Sequence, residues 1–266
     1  MLKLMSLGSG SSGNCYYLWT DDFGILIDAG IGIRTIKKIF SEYNLKIGNV
    51  RAVFVTHDHA DHIKAVGHLG ALYHIPVYAT HEVHKGIEKS YCCTKKLIPE
   101  DKKFINKNEH VRIGDFDVTC FEVPHDATDN VGYTITYNGK TLSILTDIGH
   151  ITPEAELHIQ SADYLIMEAN YDESMLVNGP YPQYLKARIA GPNGHMANSE
   201  MANYLADNFP PNLKKLWLCH LSKDNNHPAL AYKTVEMALK RNGIIVGKDL
   251  DLIALKRTTP SEIYQL

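Results

Sequence analysis

Short apolar runs separated by turn residues open the chain. Leu2–Leu7 leads into Gly8-Ser9-Gly10-Ser11-Ser12-Gly13-Asn14, Cys15–Trp19 follows, and Gly24-Ile25-Leu26-Ile27 runs into Asp28-Ala29-Gly30. Runs of this length bounded by Gly, Ser and Asp predict strands. Ile33, Ile36, Ile39, Phe40 and Tyr43 recur at helical spacing and predict a first helix. Arg51–Val55 predicts a buried strand, Ile63, Val66, Leu69 and Leu72 mark an amphipathic stretch, Pro76–Ala79 a short strand and His81–Lys89 a helix. From Val111 the period turns to β, with strands expected at Val111–Ile113, Phe116–Val123, Val131–Tyr137 and Thr141–Leu145 and a hairpin at Asn138-Gly139. Strands at Tyr164–Met167 and Leu216–Cys219 then alternate with helical segments. Two similar halves, each β-rich and then helical, predict two mixed sheets packed face to face with helices outside. That is an α/β fold of four layers in one domain spanning residues 1–266.

Composition narrows the function classes. The 266 residues carry a formal charge of −3, so no global basic field recruits nucleic acid, and phosphate binding must be local. Five cysteines without C-x-x-C spacing argue against a disulfide framework. Met1–Leu7 is too short for a secretory apolar region and no run approaches a membrane span, so the expectation is a cytoplasmic protein with no membrane partner.

The densest chemistry lies directly after the Arg51–Val55 strand. His57, His59, Asp61 and His62 form H-x-H-x-D-H, more ligands than one zinc ion with an open position takes, which points to two metals that activate water. Three further strands each deliver one candidate ligand at their ends: His125 after Val118–Pro124, Asp147 after Leu142–Thr146, and His220 after Leu216–Cys219. All-nitrogen and oxygen ligation without cysteine suits zinc, manganese or iron.

This series resembles the five-motif pattern of the metallo-β-lactamase fold, with Asp28-x-Gly30 similar to its first motif. The Gly8–Asn14 run, His125-Asp126-Ala127 and His220-Leu221-Ser222-Lys223-Asp224-Asn225-Asn226 together resemble the YycJ (WalJ) family of bacterial metallo-hydrolases over nearly the whole chain. Asp58 stands where many members carry Glu. The resemblance implies a four-layer αβ/βα sandwich and two divalent metal ions. One would be held by His57, His59 and His125, the other by Asp61, His62 and His220. Asp147 would bridge them, with a shared hydroxide as nucleophile. It further implies that Asp61 orients the nucleophile. His195, in Gly194-His195, resembles the histidine that contacts the scissile phosphate in nucleases such as ribonuclease Z, and Glu168 resembles that histidine's partner.

Lys223, Asn225 and Asn226 just past His220 suit a phosphate, as does the loop with Ser11, Ser12 and Asn14. Tyr181, Tyr184, Lys186 and Arg188 mix aromatic and basic residues as nucleic-acid-contacting surfaces do. The family resemblance implies a DNA exonuclease, 5′→3′ on double-stranded DNA. Only 22 residues separate His125 from Asp147, leaving no room for the tRNA-gripping arm of ribonuclease Z. Three other readings stay open: a small-molecule phosphodiesterase, a thioesterase or lactonase for which His195 is dispensable, and a metal-stabilised regulatory module without turnover.

Overall fold

Three antiparallel strands, β1 (Lys3–Gly8), β2 (Cys15–Trp19) and β3 (Gly24–Ile27), begin a sheet that continues in parallel. The parallel part is β4 (Val50–Phe54), β5 (Val77–Ala79) and β6 (Lys102–Phe104). Helix α1 (Ile33–Glu42) carries the chain from β3 to β4 and buries Ile36, Ile39 and Phe40, the stripe its spacing predicts. Phe40 meets Tyr17, which stacks on Trp19 with ring centres 4.7 Å apart. Truncating an aromatic ring in such a core costs about 3–5 kcal/mol. After β4 come α2 (Ala60–Ile63), α3 (Val66–Tyr73) and α4 (His81–Lys89), the last capped by Thr80 Oγ1, which accepts from Val83 N–H.

A second seven-stranded sheet has β7 (His110–Ile113) on its edge. It runs on through β8 (Phe116–Glu122), β9 (Val131–Tyr137) and β10 (Lys140–Leu145), antiparallel neighbours. The β9–β10 turn is Asn138-Gly139, both with positive φ (48° and 73°), the pair that a two-residue hairpin with the twist of its strands requires. Three parallel strands follow on β10: β11 (Tyr164–Glu168), β12 (Lys215–Cys219) and β13 (Asp251–Ala254). The helices of this half are α5 (Pro153–Gln160), α6 (Glu173–Asn178), α7 (Gln183–Ile189), α8 (Asn198–Asp207) and α9 (Pro228–Arg241). Strand β14 (Tyr264–Gln265) pairs with β1 in the first sheet.

The computed structural model describes residues 1–266. They divide into two compact units: Met1–Asp115 with Ala127–Asn130 and Lys256–Leu266, and Phe116–Asp126 with Val131–Leu255. Each has its own apolar core, one around Tyr17, Phe40 and Val53, the other around Phe121, Leu165 and Leu218. Two seven-stranded mixed sheets with helices match the α/β architecture predicted from the pattern. No helix is long and apolar enough to cross a membrane.

Several local expectations are corrected. The short strands β6, β13 and β14 have no distinct pattern of their own, because pairing with a neighbour rather than alternation makes them strands. The stretch after the metal motif is two helices, and Leu72 faces solvent at 55% exposure rather than the core. Ala197 is at the N-cap position of α8, and the Asn198 amide pairs with Asn226. His84 is buried with Nε2 at 2.9 Å from the Lys103 carbonyl, and His158 stacks on Phe121.

Candidate metal-binding site

Parallel neighbours end side by side, and this places the first group of candidate ligands. Ile27 at the end of β3 pairs with Phe54 at the end of β4, so Asp28 and Thr56 leave their strands together. Asp28 is buried and left-handed, with φ 58°. Its Oδ1 accepts from Thr56 N–H (2.8 Å), and its Oδ2 accepts from the Thr56 hydroxyl (2.9 Å) and lies 2.7 Å from His62 Nδ1. A carboxylate only accepts, so the His62 proton sits on Nδ1 and the lone pair on Nε2. Asn14 agrees: Gly10 N–H holds its Oδ1 at 2.9 Å, which turns its amide donor towards His62 Nε2 at 2.9 Å. Because the Thr56 hydroxyl gives its proton to Asp28, its oxygen accepts from His57 Nδ1 (3.0 Å), and His57 also keeps its lone pair on Nε2. His59 packs edge-on to His57, with ring centres 4.6 Å apart.

Backbone bonds lock these loops into one piece. Asn14 N–H donates to the Asp61 carbonyl (2.7 Å), Gly30 N–H to Asn14 O (2.8 Å), and Ala29 N–H to His62 O (2.9 Å). Gly30 lies so close to the ligand helix that a Cβ there would stand 1.6 Å from the Asp61 carbonyl oxygen. Gly30→Ala therefore displaces Asp61 and His62 by backbone clash. Metal affinity, read by competition with a chromogenic chelator, falls by about 10- to 100-fold, the usual cost of disturbing a ligand's support. Unchanged affinity would show that the helix yields freely.

The second group forms by the same rule. Leu145, Met167 and Leu218 pair across β10, β11 and β12, and Glu168 pairs with Cys219, so Asp147, Glu168 and His220 emerge from adjacent strand ends. Asp147 and His220 are left-handed, each with φ 52°. Such conformations cost on the order of 1–3 kcal/mol and gather at functional positions. Candidate ligand atoms of Asp147, Glu168, His195 and His220 all lie within 4.8 Å of one another. Glu168 is buried, and its Oε1 is 2.8 Å from both His195 Nδ1 and His220 Nδ1. Its Oε2 accepts from Ile148 N–H (3.0 Å) and Met196 N–H (3.2 Å), which commits the carboxylate to orienting rings rather than to ligating. His125 Nδ1 donates to the Gly194 carbonyl at 2.9 Å.

His57 and His62 in one unit, and His125 and His220 in the other, each have Nδ1 engaged, the arrangement that orients an imidazole to ligate through Nε2. Imidazole nitrogens with the carboxylate of Asp61 in the first unit, and with that of Asp147 in the second, are donors of the kind divalent metal ions take. Charges are tuned accordingly. Burial pushes the His125 pKa down despite the Asp147 charge, favouring the neutral ring that binds metal. Burial works against ionised Glu168, but His195 and His220 outweigh it and hold its pKa at about 2. Burial likewise opposes charge on His195, and the Glu168 carboxylate overcomes it, so the His195 pKa is raised.

The predicted substrate residues fall into different surroundings. Ser11 and Ser12 are exposed at the tip of their loop, whereas Asn14 is buried under Asp61 and His62. Lys223 is exposed. The Asn226 amide donates to the Ala169 and Asn170 carbonyls and to Asn198 Oδ1, bracing the loop that carries Glu168. Asn225 is buried beside Gly179 with neither amide atom hydrogen-bonded. Lys186 Nζ donates to the Val177 carbonyl and Arg188 pairs with Asp126; Tyr184 and Arg188 stand well out of that surface, at 77% and 58% exposure. Sequence reasoning assigned no role to Thr56, or to Asn170, whose amide donates to Glu168 Oε1 (3.2 Å) and His220 O (2.9 Å). Their positions next to His57 and Glu168 were the available signal.

Residues 24–220 match the model of the β-lactamase superfamily domain. Over 98% of its length the chain is 35% identical to exodeoxyribonuclease YycJ of Bacillus anthracis, 98% of which is covered. It is 32% identical to exodeoxyribonuclease WalJ of Streptococcus pneumoniae, over 99% of this chain and 98% of that one. Among solved structures, the metallo-β-lactamase fold protein YhfI of Bacillus subtilis aligns over 98% of both chains with a TM-score of 0.70 at 17% identity, which shows the shared fold.

Proposed function

The chain belongs to the β-lactamase superfamily, and within it to the family of the YycJ and WalJ exodeoxyribonucleases; from that premise we propose a cytoplasmic, metal-dependent exodeoxyribonuclease acting 5′→3′ on double-stranded DNA. The observation that carries a phosphodiester target is the Glu168–His195 pair, in which the carboxylate holds His195 Nδ1 at 2.8 Å and raises the His195 pKa, beside Asp147 and His220. Cleaving a phosphodiester expels an alkoxide that needs a proton, whereas hydrolysing a thioester releases a thiolate that does not. With Nδ1 held by Glu168, His195 has Nε2 to offer to the leaving oxygen.

In this reading His57, His59 and His125 would hold one divalent ion and Asp61, His62 and His220 a second, with Asp147 completing the donor set and zinc or manganese the fitting metals. When bound, such ions supply Lewis acidity and bring the pKa of water from about 15.7 towards 7. Asp28, Thr56, Glu168 and the Gly194 carbonyl hold the rings in the ligating tautomer. Asp61 accepts a proton or a hydrogen bond from the nucleophile. Ser11, Ser12, Lys223 and Asn225 contact the phosphate, and Asn14 and Asn226 keep the loops that carry them in place.

The test is incubation of manganese- and zinc-loaded protein with 5′- and 3′-labelled duplex, single-stranded DNA and RNA. Chelator-sensitive, stepwise shortening of the duplex from its 5′ end is expected. Intact DNA alongside turnover of an aryl phosphodiester would assign a small-molecule phosphodiesterase instead. His195→Ala lowers DNA cleavage by about 10²- to 10⁴-fold, the range for a lost general acid. The wild-type rate falls as pH rises through the raised His195 pKa, because the acid form is then lost, and that alkaline limb disappears in the variant.

A further inference from the structure

The segment that follows the H-x-H-x-D-H motif carries charge opposite to that of the whole protein. From His62 to Ile98 there are five lysines and two glutamates, net +3, in a chain whose total is −3. The fold concentrates part of this charge beside the ligand helix α2. Loop 90–97 is pinned at three places: the Cys93 thiol donates to the Ile63 carbonyl (3.4 Å), one residue past His62. Lys96 Nζ donates to the Glu88 and Ser90 carbonyls at the end of α4 (2.7 and 2.8 Å). The Lys95 carbonyl lies against Gly67 of α3, where a Cβ would come within 1.7 Å of it. Helix α4 is itself tight against the motif, since a Cβ at Gly86 would stand 1.9 Å from Asp58 Oδ2. On this anchored loop Tyr91 is 89% exposed, the most exposed large apolar side chain in the protein, with Lys64, Lys89 and Lys95 also exposed.

A tyrosine held out on a pinned loop gains nothing from burial, yet it offers a flat face at little ordering cost. Lysines around it supply phosphate contacts. Aromatic faces that stack bases, set among cations that track a backbone, are how proteins hold unpaired nucleic-acid strands. We propose that loop 90–97, with Lys64 and Lys89, is the strand-gripping shelf of the enzyme: Tyr91 stacks on an unpaired base at the DNA end, and Lys64, Lys89 and Lys95 bind phosphates flanking it. The shelf rests on the nuclease reading above. It accounts for how an acidic protein retains a polyanion, because its basic surface adjoins the ligand loop.

The experiment is fluorescence anisotropy of a duplex with a short single-stranded 5′ end, titrated with the whole protein across a salt series, beside cleavage kinetics. Tyr91→Ala weakens binding by about 5- to 150-fold, raising KM on DNA while kcat holds, and Tyr91→Phe restores it. Lys89→Ala and Lys95→Ala each reduce the slope of log affinity against log salt by about 0.7–0.9, and Lys37→Ala on the exposed face of α1 does not. Wild-type affinity, slope and KM in the Tyr91 and lysine variants of a DNA-degrading enzyme would overturn the shelf alone. A wild-type protein that turns over an aryl phosphodiester but neither binds nor shortens DNA would overturn the nuclease reading and the shelf with it.

Discussion

Asp61→Ala leaves a folded protein that no longer shortens DNA, with a loss of about 10²- to 10⁴-fold for the proton-accepting role alone. The separation of folding from activity follows from how Asp61 is built in. Its backbone carbonyl, which alanine keeps, accepts from Asn14 N–H at 2.7 Å and helps to lock the loops. Its side chain is 22% exposed, with Oδ2 3.7 Å from His62 Nε2 and 3.4 Å from the Asn14 amide, so alanine removes only peripheral contacts of that carboxylate. A thermal melt close to wild type, together with lost cleavage and weakened binding at one metal position, is the expected set of results. Asp61→Asn keeps the volume and removes the charge, so it behaves as alanine does. Activity surviving in either variant would sink the two-metal mechanism.

Glu168 carries the other large effect, and there stability and activity fall together. Glu168→Ala leaves His195 and His220 without their shared acceptor and orphans the buried N–H groups of Ile148 and Met196. Removing one member of a buried charged network costs about 3–5 kcal/mol. Glu168→Gln restores one acceptor oxygen for the backbone donors, but its amide nitrogen cannot accept from two imidazoles. That variant recovers much of the fold while its rings lose their fixed tautomer, so cleavage stays low.

The pH dependence of stability separates the same terms. The Glu168 pKa is lowered from 4.5 to about 2, so its contribution is complete above 4.5 and is lost as pH falls towards 2. The His195 pKa is raised from 6.5, so its contribution is complete below 6.5 and is lost as pH rises through the raised value. Wild-type protein is therefore most stable between these limits, and Glu168→Gln flattens both flanks. Chemical denaturation across pH reads this directly; unchanged flanks in the variant would remove Glu168 from the account.

What was legible in the chain was local. The His81–Lys89 helix matches α4 residue for residue, and Asn138-Gly139 marks the hairpin, because capping, apolar period and positive φ are written in adjacent residues. The H-x-H-x-D-H run was legible for the same reason: its ligands are neighbours. Asn226 shows where that legibility stops. Its amide suits a phosphate, yet it spans from the Ala169 and Asn170 carbonyls to Asn198, partners 28 to 57 residues away. The exposure of Tyr91 was equally hidden, because a tyrosine between polar residues reads as a loop until its surroundings and the loop's anchors are seen.

By itself the sequence determined the α/β class and the strand-end placement of the candidate ligands, since these depend on residue chemistry and short periodicities. The tertiary structure decided that Nδ1 is the engaged nitrogen of His57, His62, His125 and His220. That choice rests on Asp28, Thr56, Glu168 and the Gly194 carbonyl, acceptors reaching their rings from 1 to 69 residues away. It also decided that one carboxylate, Glu168, serves two rings at once. Parallel register does this: it sets the ends of β10, β11 and β12 side by side, and no pattern within any single strand encodes which neighbour it will have.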